Sequence, residues 1–207
     1  MLELEPIIII LDTEYTAWEG SAERDWSGPN EYKEIIEIGA VKVETKNFQE
    51  IETLQIFVKP RKNPELSDYI KKFTGISQSN IDTEGKDLAE ALEKLSGWSK
   101  GVNFFSWGNE GEVVQGNCDL YGVKNPIEFS HFHDIRPIFK KHGIETKNFM
   151  SSTIVRAFGL EPSRTGHRAI NDARTILDGL RELQKLLQIV ELRVPEAIQR
   201  RSERGVG

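Results

Sequence analysis

Asp12 and Glu14 are the first residues whose types and spacing suggest chemistry. They follow the branched apolar run Ile7-Ile8-Ile9-Ile10-Leu11. That run is far short of the roughly 20 apolar residues that cross a bilayer. It predicts a central strand buried on both faces. Side chains alternate along a strand, so Asp12 and Glu14 share one face and Thr13 takes the other. Two carboxylates side by side at the end of a buried strand repel each other unless a hard cation such as Mg²⁺ lies between them. Taken alone, an Asp-x-Glu step also describes a strand that has ended in solvated polar residues. Partner ligands elsewhere in the chain decide between the two.

Such partners occur far downstream. His167 closes the polar turn Ser163-Arg164-Thr165-Gly166-His167, and Asp172 follows five residues later. A helix from about Arg168 to Ile189 is predicted by the spacing of Ile170, Ala173, Leu177, Leu180, Leu183 and Leu187. Asp172 is about 100° from Ala173 around that helix, so it borders the buried face. His167 precedes the helix and is free to project over a cleft. A local hydrogen bond at a helix start is the bland reading of the same histidine.

The elements that would position these residues can be read in order. Glu34 to Val43 and Ile51 to Val58 predict two more strands, which with the first form an antiparallel meander. Ala17 to Asn30, holding Trp18 and Trp26, is a long loop of the kind that often carries function. Short and longer helices are predicted over Pro64 to Phe73 and Lys86 to Trp98. Val102 to Trp107 and Glu128 to Phe132 predict the fourth and fifth strands. Helices are expected over Glu110 to Tyr121, over Ile135 to His142 behind an Asp134 cap, and over Asn148 to Phe158. The result is an α/β fold, a mixed five-stranded sheet flanked by helices. Sites in such folds lie at the carboxyl ends of central strands, where Asp12, Glu14 and Gly108 fall. Pro195 is expected to stop the last helix. The reading is one domain over residues 1–190 and a mobile tail over 191–207.

Composition bounds the function. The 207 residues are 38% hydrophobic and 29% charged, as in ordinary globular proteins. Cys118 is the one cysteine, expected in the core, so no intrachain disulfide forms and a reducing compartment is implied. The acidic start Met1-Leu2-Glu3-Leu4-Glu5 is unlike a signal peptide, which makes the expected location cytoplasmic, with no membrane partner. A net charge of −6 argues against indiscriminate coating of nucleic acid. Lys140, Lys141 and the terminal arginines read as a solvated face. Neither a GxGxxG run nor a P-loop is present to support a nucleotide-binding regulator.

In combination, Asp12-Thr13-Glu14, Glu37-Ile38-Gly39-Ala40-Val41, Ser106-Trp107-Gly108 and Gly166-His167-Arg168-Ala169-Ile170-Asn171-Asp172-Ala173-Arg174 resemble the DEDDh 3′–5′ exonucleases. The branch that includes the eukaryotic histone-mRNA 3′ exonuclease and its bacterial relatives is the most similar. The resemblance covers roughly residues 6 to 190. It implies a ribonuclease H-like fold and hydrolysis of nucleotides from the 3′ end of RNA or single-stranded DNA with two Mg²⁺ or Mn²⁺ ions. The chemistry agrees, because cations about 3.5–4 Å apart serve the attacking and leaving oxygens of a phosphodiester. Asp12, Glu14 and Asp172 would hold metal. His167, which titrates near neutrality, would take the proton of the attacking water. Tyr15, Thr16 and Trp18 would meet the terminal nucleotide, with plain packing an equal reading for Trp18. Glu37 is expected to be structural.

One position departs from the family pattern. The resemblance places a fourth carboxylate three residues beyond Gly108, and Gly111 stands there between Glu110 and Glu112. Three readings follow. Glu110 or Glu112 takes over, although neighbours on a helix point about 100° apart. The chain is a weakened or inactive relative that keeps nucleic-acid binding. The residue was changed by design. On the expectation that the ligand position is Gly111, Gly111→Asp would leave the fold intact and raise activity.

Overall fold

The computed structural model describes residues 2–204, with side chains to residue 189. Its sheet has five strands in the order β3-β2-β1-β4-β5: β1 (Ile7–Tyr15), β2 (Ile35–Glu44), β3 (Gln49–Phe57), β4 (Phe104–Ser106) and β5 (Phe132–Asp134). The first three pair antiparallel, and β1–β4 and β4–β5 pair parallel. This is the expected mixed sheet. The expected fifth strand at Glu128 to Phe132 is shifted, because Phe129–His131 form a 3₁₀ turn and β5 begins at Phe132.

Among the described residues six α-helices flank the sheet: α1 (Asp68–Thr74), α2 (Gln78–Glu84), α3 (Leu88–Ser99), α4 (Glu110–Tyr121), α5 (Arg136–Lys141) and α6 (Ala169–Arg204). Helix α2 carries too little apolar periodicity to be read in advance. It is started instead by a capping box between Ser77 and Asn80. Ser151–Phe158 is a 3₁₀ helix rather than the α-helix expected over Asn148 to Phe158. Helix α6 does not stop before Pro195 but continues to Arg204. A proline removes one backbone donor, while a long helix keeps its hydrogen bonds on either side. The stretch 191–204, expected to be a tail, continues this helix, and residues 205–207 lie outside the described residues.

Period-two alternation in β1 builds the core. Ile9 and Leu11 pack on one face with Leu88, Leu92 and Leu95 of α3 and Val114 and Cys118 of α4. Ile8 and Ile10 pack on the other with Ala173, Ile176, Leu177 and Leu180 of α6 and Phe139 of α5. All four residues of Ile8 to Leu11 are fully buried. Carrying the alternation onward aims Asp12 and Glu14 at α6 and Thr13 at α4.

Helix α6 reaches β2 only because residue 39 is glycine. A Cβ there would lie 2.2 Å from the Ile170 nitrogen. Two residues earlier on the same face of β2, the fully buried Glu37 carboxylate accepts the Ala169 N–H at 2.9 Å and binds the Arg168 guanidinium at 2.8–3.2 Å. Gln55 on β3 donates to the same carboxylate. The start of α6 is thus anchored to the sheet beside Glu14, which pairs across strands with Glu37.

Candidate active site

Asp12 and Glu14 lie at the carboxyl end of β1 and are nearly buried, 7% and 8% exposed. Asp172, in the first turn of α6, is 3% exposed. It faces the same cleft, of about 580 Å³. The anchoring of α6 through Glu37 and Gly39 sets how far Asp172 extends over the strand. One ligand atom each from Glu14, His167 and Asp172 falls within 4.8 Å of the others. Asp12 lines the cleft beside this trio.

His167 adopts a left-handed backbone with φ 62°. That conformation costs about 1–2 kcal/mol for a residue with a side chain. Asp172 stabilises it by accepting the His167 N–H, at 3.2 and 3.3 Å to its two oxygens. Ser151 adds a hydroxyl donor to Asp172 at 3.4 Å. The imidazole stacks on Phe73 of α1 with centroids 3.8 Å apart. Burial lowers the His167 pKa, which keeps the ring neutral near pH 7.

Glu110 supplies a fourth carboxylate. It begins α4, lines the cleft, and accepts a hydrogen bond from the Thr13 hydroxyl. The face of β1 opposite the Asp–Glu pair therefore holds this residue in place. Glu112 is exposed and meets Asn109 at 3.2 Å. Gly111 is buried and turned elsewhere. A Cβ on it would lie 2.7 Å from the Phe132 Cβ and 3.2 Å from Phe129, in a separate small cavity of about 170 Å³. This corrects the expectation that an Asp at position 111 would face the other carboxylates. The one-residue offset follows from the 100° step of the helix, which brings residue 110 rather than 111 over the strand end.

The carboxylates perturb one another. Burial, with Glu110, Asp172 and Glu14 nearby, raises Asp12 well above the usual carboxylate range. Burial and the charges of Asp172, Glu37 and Glu110 push Glu14 up to about 9. Asp172 rises to about 7, chiefly through burial, against the opposing His167 and Ser151 hydrogen bonds. Glu110 is raised by burial and drawn back by Thr13 and by the Lys33 charge. Groups of this kind cannot all ionise together without a positive partner. An oxygen-rich donor set with that deficit fits hard divalent cations such as Mg²⁺ or Mn²⁺ better than softer metals.

Comparisons with known proteins agree with this geometry. The family model described as Exonuclease (RNase_T) matches residues 9–180. The chain belongs to this exonuclease family. The "Probable 3'-5' exonuclease KapD" of Bacillus subtilis (strain 168) is 28% identical over 201 residues, covering 92% of this chain and 91% of its own. The human "3'-5' exoribonuclease 1" is 33% identical over 184 residues, where the match covers 82% of this chain and half of the human protein. The crystal structure of the nuclease domain of 3'hExo, a DEDDh family member bound to rAMP, superposes with TM-score 0.73 at 24% identity over 89% of this chain and 95% of that one. The fold is therefore the ribonuclease H-like fold of the DEDDh nucleases.

Within this exonuclease fold the three residues expected at the terminal nucleotide separate. Tyr15 and Trp18 line the cleft. Thr16 does not face it. Its hydroxyl donates to the Tyr32 carbonyl at 2.5 Å and accepts the Glu34 N–H at 3.0 Å, so it ties the long loop to β2. The strand alternation that aims Glu14 at α6 ends at a register shift after Glu14, which the sequence does not reveal. Other cleft residues were missed. Tyr69 and Phe73 form an exposed stacked pair beside His167, at the i, i+4 spacing of one helix face. Arg136, Lys140 and Lys147 line another wall.

Proposed function

We propose that this chain is a metal-dependent 3′–5′ exonuclease that removes nucleotides from the 3′ ends of RNA or single-stranded DNA, with Glu110 as its fourth acidic residue. The observation that carries the reading is the meeting of Asp12, Glu14, Glu110 and Asp172, from three separate elements, with a neutral histidine in one cleft. Asp12, Glu14, Glu110 and Asp172 would hold Mg²⁺ or Mn²⁺, which supplies charge neutralisation for the phosphate and its leaving oxygen. His167 accepts the proton of the attacking water at a ring nitrogen. Phe73 beneath the ring and Asp172 on its backbone N–H keep it oriented while it does so. Trp18 offers a face on which the terminal base stacks, with Tyr15, covered by Lys33 on one side, beside it in the cleft. Relatives named as exoribonucleases, such as the human "3'-5' exoribonuclease 1", favour RNA as the natural substrate. Cys118 is a buried free thiol, which supports a reducing, cytoplasmic setting, and no described helix is long and apolar enough to cross a membrane. Residues 1–190 act as a single domain in this reading.

The reading is tested with single strands labelled at either end, incubated with Mn²⁺. A 5′-labelled strand should shorten stepwise, and a 3′-labelled strand should release labelled mononucleotide at once. Cutting of a circular single strand, or an inert protein in both Mg²⁺ and Mn²⁺, would reject it in favour of a binding protein that keeps the fold.

A further inference from the structure

The two sides of the cleft differ in charge. Beyond Tyr15 and Glu110 lies a second cavity of about 580 Å³ whose rim carries Glu112 and Glu31, the latter paired with Arg24. Its one cation, Lys33, is folded over the rings of Tyr15 and Trp26 at 4.1 and 4.8 Å. On the other side, Lys140 at the end of α5 and Lys147 in the following loop are exposed and line the cleft itself. Among the described residues neither has a carboxylate oxygen within 4 Å of its ammonium, whereas Lys141 is tied to Glu3 at 2.8 Å and Arg136 to Asp134. Glu145, an acid whose charge these lysines feel, is turned to the backbone N–H groups of Thr146 and Lys147 at 2.8 and 2.6 Å.

What sets Lys140 and Lys147 apart from other exposed lysines is that both line the cleft that holds the carboxylates. A strand whose last nucleotide sits at the carboxylates must carry its remaining phosphates along one side or the other. Glu112 on the far rim repels them, Glu31 there is offset by Arg24, and the lysine wall attracts them. We infer that the substrate backbone leaves the cleft over α5 and the 146–151 loop, with Lys140 and Lys147 each neutralising one phosphate upstream of the terminal nucleotide. This rests on the exonuclease reading and adds to it a strand path and a need for more than one nucleotide.

The test measures the salt dependence of binding. A short 5′-fluorescein oligoribonucleotide with a free 3′-hydroxyl is titrated in Ca²⁺, with adenosine 5′-monophosphate as the one-nucleotide probe. Each phosphate contact on a single strand contributes about 0.7 to the slope of log affinity against log salt. Lys140→Ala/Lys147→Ala should therefore reduce the slope by about 1.4, a loss of about 25-fold in affinity between 1 M and 0.1 M salt. Its affinity for the mononucleotide should not change. An unchanged slope in a variant chain that still hydrolyses strands overturns the path alone. Tighter strand binding by Glu112→Gln, with nothing lost in the lysine variant, places the strand on the opposite side and also overturns it. A wild-type chain that neither binds nor shortens the strand overturns the path and the exonuclease reading together.

Discussion

Gly111→Asp separates what the sequence suggests from what the structure suggests. Sequence pattern places the missing carboxylate at 111. The structure aims a Cβ there at Phe132, 2.7 Å from its Cβ, with Phe129 at 3.2 Å. The half-exposed Phe129 ring can give way, but the Phe132 Cβ is fixed by the backbone of β5 and cannot. Overpacking of this kind costs about 1–3 kcal/mol. Burying a carboxyl without a designed partner adds about 1–3 kcal/mol. Glu112 and Asp134 border the same small cavity and repel it further. Two effects oppose the loss: replacing a helical glycine returns about 0.5–1 kcal/mol, and an acid in the first turn of α4 about 0.3–1 kcal/mol. The balance is a net loss of about 2 kcal/mol, or about 4–8 °C in Tm for a chain of this length. Hydrolysis in Mg²⁺ should not rise. Thermal melts followed by circular dichroism, run beside a 3′-end release assay, measure both quantities. Gly111→Ala, with the same Cβ and no charge, should melt lower than wild type without the carboxyl contribution. A Gly111→Asp protein that melts at or above wild type and cleaves tenfold faster would refute the argument and return the ligand role to position 111.

Glu110→Gln keeps the shape and the Thr13 hydrogen bond but removes the charge, and should slow strand shortening by more than the roughly 10–100-fold typical of losing an outer partner of a metal ligand; Glu112→Gln should match wild type in the same assay. His167→Ala should lower the rate by roughly 10²–10⁴-fold. Calorimetry should find Mn²⁺ affinity nearly intact, and a parallel loss would instead place His167 among the ligands. The raised carboxyl groups also predict how metal-free stability varies with pH. Glu14 at about 9 and Asp172 at about 7 hold protons that the unfolded chain has released, so their contribution is full below the ordinary carboxyl range and is lost as pH rises through about 7 and then about 9. At 1.36 kcal/mol per unit, Glu14 alone is worth on the order of 6 kcal/mol. Urea unfolding in EDTA should weaken steadily from about pH 5 to about pH 9, and Mn²⁺ should remove most of that trend; a flat profile in EDTA would show that the carboxylates do not crowd one another.

Much of this was legible because period and spacing determine it. The Ile8 to Leu11 run can only be a strand buried on both faces, and its alternation then fixes which way Asp12 and Glu14 point. The apolar repeat of α6 places Asp172 at its edge in the same way. Contacts between distant segments were not legible. Whether Glu110, Gly111 or Glu112 faces the other carboxylates depends on how α4 is rotated about its axis. That rotation is set by the packing of Val114 and Cys118 on Ile9 and Leu11 and by the Thr13 hydroxyl, 97 residues from Glu110 in the chain. Thr16 was misplaced for a related reason, since its partners Tyr32 and Glu34 lie across a loop whose path no local pattern defines.

Glu37 shows why the constellation tolerates the shift from 111 to 110. Its carboxylate holds Arg168 and the first N–H of α6, so His167 and Asp172 are registered against β2 rather than against α4. The β1 pair is registered against the same strand, with Glu14 opposite Glu37. Three acids and the histidine are thereby fixed by one end of the sheet. The fourth acid arrives independently on α4 and has only to place a carboxylate at the open side of that arrangement. A glutamate one residue earlier has the reach to do so, and the hydroxyl of Thr13 stands where it can hold that longer side chain in place.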